Sequence, residues 1–96
     1  MDELEELRLQ IDEIDKELAS CFERRMDVVR RISDIKLARK AEVLDSKREE
    51  EVLCSRLPLV QDTGIRPFWE KEVRLLMRLS KEYQWTLRED SPSRKK

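Results

Sequence analysis

From Asp2 to Lys40 the chain has neither glycine nor proline, and its apolar residues recur at alternating steps of three and four. Leu4, Leu7, Ile11, Ile14, Leu18 and Cys21 mark the first half of this pattern; Val28, Ile32 and Ile35 mark the second. Such spacing is a heptad seam along one face of a helix. A helix of this length runs about 55 Å, whereas a small domain is about 30 Å across. The rest of a 96-residue chain cannot wrap it. The seam therefore needs a partner, and a homodimer with paired long helices is expected.

Charged residues make up 45% of the chain, against roughly 25% in an ordinary globular protein. The signs nearly cancel, with 21 Lys and Arg against 22 Asp and Glu. Disorder does not follow. Leu, Ile, Val and Phe supply 26 of the 96 residues, above the roughly 20% that marks disordered chains. The charges read as outer faces of long helices. A single glycine, Gly64, argues against turn-rich β architectures and excludes glycine-rich phosphate loops. With no histidine, His-based triads and most catalytic zinc sites are excluded. Balanced charge argues against nucleic acid as a partner. No apolar run approaches the ~18 residues of a membrane span and no signal-peptide core is visible, so no membrane partner and a cytoplasmic location are expected. Cys21 and Cys54 fall in helical patterns; free thiols, buried or partly buried, are expected ahead of a disulfide.

The remaining chain divides into a connector over Ala41–Leu44 and two further helices. Asp45 and Ser46 are both good N-caps, and Ser46 with Glu49 spells a capping box. Helix two then runs to about Leu57, burying Val52, Leu53 and Leu57. Pro58 ends or kinks it, because proline disfavours helical geometry in the residue before it. Residues 58–66 form a loop, and Pro67 suits the first turn of helix three. That helix runs to about Leu87 on a stripe of Trp69, Val73, Leu76, Met77, Tyr83 and Leu87. The fold class expected is all-α, long–short–long, as one domain over 1–90 with a flexible tail at 91–96.

Polar residues interrupt these apolar stripes. Arg25 occupies the seam position between Cys21 and Val28, where an unpaired charge costs several kcal/mol of desolvation. It is either a register-setting or snorkelling residue, or one jaw of an anion site. Lys36, eleven residues on, projects from nearly the same face about 16 Å along the axis. It reads as a solvated charge at a helix end or as the second jaw. Ser80 and Gln84 stand on the stripe of helix three, as edge positions or as pocket donors. Asp45, Arg48 and Glu49 open helix two, as a surface cap with a local ion pair or as a charged entrance. Arg8 flanks the seam about 25 Å from Arg25. The two cannot meet one small ligand within a subunit, but an antiparallel dimer can bring them together.

Taken in order, these motifs resemble the all-helical class of chorismate mutases, over about residues 4–88. The resemblance rests on Leu7-Arg8-x-x-Ile11-Asp12-x-Ile14-Asp15, on Glu23-Arg24-Arg25 with Ile32-x-x-x-Lys36, on Asp45-x-x-Arg48-Glu49, and on Ser80-x-x-x-Gln84. A shorter loop around 58–67, and Pro58 itself, depart from that family's pattern. The resemblance implies an intertwined homodimer with two active sites. Each takes Arg25, Lys36, Arg48, Asp45, Glu49, Ser80 and Gln84 from one subunit and Arg8 from the other. It implies the rearrangement of chorismate to prephenate in aromatic amino-acid biosynthesis, with no metal and no cofactor. By the same resemblance Arg8 and Arg25 grip the two substrate carboxylates, and Lys36 and Gln84 donate to the ether oxygen. Glu49, with Asp45 nearby, binds the ring hydroxyl, while Arg48 and Ser80 order the pocket. Two other functions fit parts of the pattern: an isochorismate–pyruvate lyase on the same scaffold, and a non-enzymatic helical dimer.

Overall fold

The computed structural model describes residues 2–89, and the expected tail at 91–96 lies outside them. Three α-helices carry the chain: α1 (Glu3–Ala38), α2 (Ser46–Arg56) and α3 (Arg66–Glu89), with a 3₁₀ turn at Leu57–Leu59. The expected long–short–long order is observed, and no strand occurs among the described residues. None of these helices is long and apolar enough to cross a membrane.

Local chemistry sets each boundary. The Asp2 carboxylate accepts from the Glu5 backbone N–H at 2.8 Å and caps α1. The other end closes without glycine. Lys40 takes the left-handed conformation (φ 56°), a geometry that costs a non-glycine residue roughly 1–2 kcal/mol. Lys40 N–H then donates to the Leu37 carbonyl and Ala41 N–H to the Lys36 carbonyl, the paired bonds of a Schellman turn. This turn folds the connector back under α1. Lys36 Nζ holds it by donating to the Val43 carbonyl at 2.8 Å, and Arg88 of α3 donates to the Ala41 carbonyl.

Two expectations about α2 are corrected. Its N-cap is Asp45, whose carboxylate accepts from Arg48 N–H at 3.0 Å. Ser46 is already helical, so the Ser46–Glu49 capping box does not form; Glu49 is left to pair elsewhere. At the other end α2 stops at Arg56, but Leu57 keeps helical geometry (φ −57°, ψ −43°) in front of Pro58. The chain tightens into one 3₁₀ turn there. No residue of α2 is fully buried, and Val52, Leu53 and Leu57 are half-covered. Trp69 Nε1 pins its last turn, donating to the Arg56 carbonyl at 2.8 Å.

Helices α1 and α3 run in the same direction, since Arg25 meets Ser80 and the connector after α1 meets Arg88. Only the second half of α1 is covered. Residues 2–24 are all exposed, and the seam residues Leu4, Leu7, Ile11, Ile14 and Leu18 remain 49–61% exposed. Cys21 and Cys54 are free but exposed rather than buried, because no element covers the first half of α1 or the outer face of α2. In the second half, the face packed on α3 is not the heptad seam. Val29 and Ser33 are buried there, while Val28, Ile32 and Ile35 stay exposed. A straight helix drifts about 20° per heptad, and α3 meets the neighbouring stripe. The buried apolar core of the described residues is Val29, Val43 and Val73. The molecule extends 59 × 29 × 14 Å, with a radius of gyration of 17.3 Å, against about 13 Å for a compact 100-residue domain.

Candidate functional site

Arg25 does not snorkel away from the apolar face. Its Nη1 donates to Ser80 Oγ at 2.5 Å and to the Leu76 carbonyl at 3.4 Å. Ser80 Oγ in turn donates to that same carbonyl at 2.7 Å, so a single hydroxyl accepts from α1 while bonding back along α3. Burial, and then the like charge of Arg56, pull the Arg25 guanidinium below its ordinary pKa. It remains a cation at neutral pH, and no ion pair among the described residues includes it.

Gln84 lies one turn beyond Ser80 and is 6% exposed. Its Oε1 is buried with no hydrogen-bond partner. A half-turn of the amide exchanges its oxygen and nitrogen ends, so the end turned to that buried position is an acceptor in one orientation and a donor in the other. Such a group costs about 1–3 kcal/mol unless something outside the chain satisfies it. The remaining residues separate on two sides of the α2 entrance. Arg48 reaches outward to Glu51 at 3.5 Å, the local pair of an exposed cap. Glu49 reaches inward, with Oε2 2.9 Å from Lys81 Nζ of α3.

These side chains surround a cleft of about 480 Å³ between α1, α2 and α3. Arg25, Lys36, Asp45, Arg48, Glu49, Ser80 and Gln84 all line it. Val28, Val29, Ile32, Val43, Val52 and Met77 supply apolar wall, which gives the uncovered seam residues Val28 and Ile32 a place. Arg8 is exposed on the uncovered half of α1 and does not reach this cleft.

Two charged lining residues are not singled out by the sequence pattern. Lys81 and Arg56 bring the cations to five, against the two carboxylates of Asp45 and Glu49, in a chain of net charge −1. Lys81 stands beside Ser80, off the apolar stripe, where a lysine ordinarily reads as a solvated flank. Arg56 ends α2, where a cation is ordinarily favoured by the helix dipole. Nothing in their local sequence distinguished either. A cleft of this size with excess positive charge, apolar walls and an unpartnered amide can hold a small organic anion.

No curated protein and no solved structure gives a significant match to the chain. A family model does: chorismate mutase type II, over residues 7–85. That match spans every element that builds the cleft, and the chain belongs to the chorismate mutase type II family.

Proposed function

We propose that the protein is a chorismate mutase, converting chorismate to prephenate by a Claisen rearrangement. The observation that carries this reading is the five-cation cleft with Gln84 unpartnered inside it, in a member of this family. The substrate is a dianion with two carboxylates, an ether oxygen and a ring hydroxyl. In one cyclic electron shift the ether C–O bond breaks and a C–C bond forms. No proton moves, so neither a base nor a nucleophile is needed. The protein must hold the flexible substrate in its reactive shape, which removes conformational entropy from the barrier. It must also stabilise the negative charge that grows on the ether oxygen.

Arg25 takes one carboxylate as a planar fork; Ser80 and Leu76 already fix its orientation. Lys36 has three N–H donors and gives one to Val43, leaving donors for the ether oxygen. Gln84 presents its amide N–H to the same atom. Glu49 accepts the ring hydroxyl, and Asp45 holds Glu49 in the first turn of α2, its carbonyl accepting the Glu49 N–H at 3.0 Å. Arg48 closes the entrance. The apolar walls lower the local dielectric, which strengthens each of these interactions.

The second carboxylate requires Arg8 of a partner subunit. The exposed seam supports a homodimer of antiparallel α1 helices. Placing Arg8 of each copy opposite Arg25 of the other puts the two-fold axis near Lys16 and Glu17, with Ile14 one turn away. Ile14→Glu then sets two charges into the centre of the interface. Sedimentation should show a dimer for the wild type and a monomer for Ile14→Glu, with activity lost in parallel. An active Ile14→Glu monomer contradicts the shared site.

Gln84 tests the chemistry. An amide donates without being protonated, and the Arg25 guanidinium, though its pKa is lowered, stays charged throughout this range. The expected pH–rate profile therefore holds from about pH 6 through neutrality. Gln84→Glu donates to the ether oxygen only as the neutral acid, so its activity should be confined to acidic pH. A wild-type rate that collapses above about pH 6 contradicts the role given to Gln84.

A further inference from the structure

Six ion pairs among the described residues lie within single helices, at i,i+3 or i,i+4, with side chains 42–73% exposed. Pairs of that kind contribute little. The Lys81–Glu49 pair differs in span and in burial. It joins α3 to α2 at 2.9 Å, its side chains are only 24% and 29% exposed, and both residues line the cleft.

Its place in the fold explains what it can do. Helix α2 is 11 residues long and has no buried residue, so packing alone fixes it weakly. Trp69 ties down its last turn. Its first turn, which carries Glu49, is tied to α3 by Lys81. Asp45 caps α2 through Oδ1, and no ion pair among the described residues ties it to α3.

We propose that Lys81 is a positioning residue for Glu49, holding one carboxylate oxygen so that the other faces the cleft as acceptor for the substrate's ring hydroxyl. This deepens the mutase reading and rests on it. An ionised carboxylate has two acceptor oxygens, so the bridge and the hydroxyl bond coexist. Lys81 thus acts on the substrate through Glu49, not by gripping a substrate carboxylate. It makes the site selective for a substrate that can donate a hydroxyl proton at that position.

The test compares the wild type, Lys81→Met, Lys81→Arg, Glu49→Gln and the Lys81→Met/Glu49→Gln double variant. Each is assayed on chorismate and on the methyl ether of its ring hydroxyl, which cannot donate. Lys81→Met should lower kcat/KM on chorismate about ten-fold, chiefly through KM, and leave the methyl ether nearly unaffected. Lys81→Arg should recover most of the loss, and Lys81→Met should add nothing in the Glu49→Gln background. Equal losses on both substrates, or no loss on chorismate, overturn the proposal and leave the mutase reading standing. Urea unfolding of the same set without substrate reads the bridge independently of turnover. Coupled stability losses at the two positions support it, and additive losses overturn it. A wild type that turns over neither substrate defeats the mutase reading, while the unfolding cycle still decides the bridge.

Discussion

Arg25→Ala should lower kcat/KM on chorismate by at least about 10²–10³-fold, the usual cost of removing one preorganised charge-stabilising donor, while the protein stays helical and folded. The two halves of this expectation have one source. Arg25 is half-buried on α1 with Arg56 as a like-charged neighbour, so its charge is a cost to the empty fold. Truncation gives up its bonds to Ser80 and Leu76, each worth about 1 kcal/mol net, and relieves that desolvation and repulsion. Ser80 keeps its bond to the Leu76 carbonyl, so no hydroxyl is orphaned. Circular dichroism and urea midpoints close to wild type should accompany the lost turnover. Arg25→Lys retains the charge without the fork and should fall between the two. Lys36→Ala should lose activity on a similar scale, since it removes a cation from the developing oxyanion. Wild-type rates in both Arg25→Ala and Lys36→Ala contradict the site.

Two inactive proteins should make an active one. Arg8→Ala and Arg25→Ala each disable both sites of a dimer in which Arg8 crosses to the partner subunit. When the two variants are unfolded together and refolded, half of the dimers formed are mixed. In a mixed dimer one site keeps Arg25 from one chain and Arg8 from the other, while the second site lacks both. Recovery of about one quarter of wild-type activity is expected for a symmetric two-site dimer. The geometric basis is simple. Arg8 sits about 25 Å along α1 from Arg25, all residues from 2 to 24 are exposed, and Arg8 is absent from its own chain's cleft. No recovery, with Arg8→Ala itself fully active, contradicts the crossing.

Particular residues show where sequence reading succeeds and where it stops. Arg25, Lys36, Ser80 and Gln84 were visible because each breaks or continues a periodic apolar stripe, and a stripe is a local property of the chain. The helix order was visible for the same reason. The seam of Val28, Ile32 and Ile35 is not the stripe that packs on α3, which is Val29 and Ser33. The period alone does not fix which stripe a crossing helix meets. Lys40 ends α1 in a conformation usually marked by glycine, with no glycine to mark it. Val43, 2% exposed, lies in a stretch whose sequence reads as connector, because its burial depends on the Lys36 and Arg88 bonds that fold the connector inward. Lys81 and Arg56 carry no local signal at all. Their importance arises only when α2 and α3 face each other across the cleft.

The most direct measurement is conversion of chorismate by the purified wild-type protein, followed by proton NMR, with isochorismate in a parallel tube. The expected result is prephenate as the sole enzymatic product from chorismate, and no acceleration with isochorismate. Salicylate and pyruvate from isochorismate, with chorismate left at its uncatalysed rate, would instead make the protein a lyase on this scaffold. Turnover of neither substrate would contradict the assignment of the cleft as a mutase site.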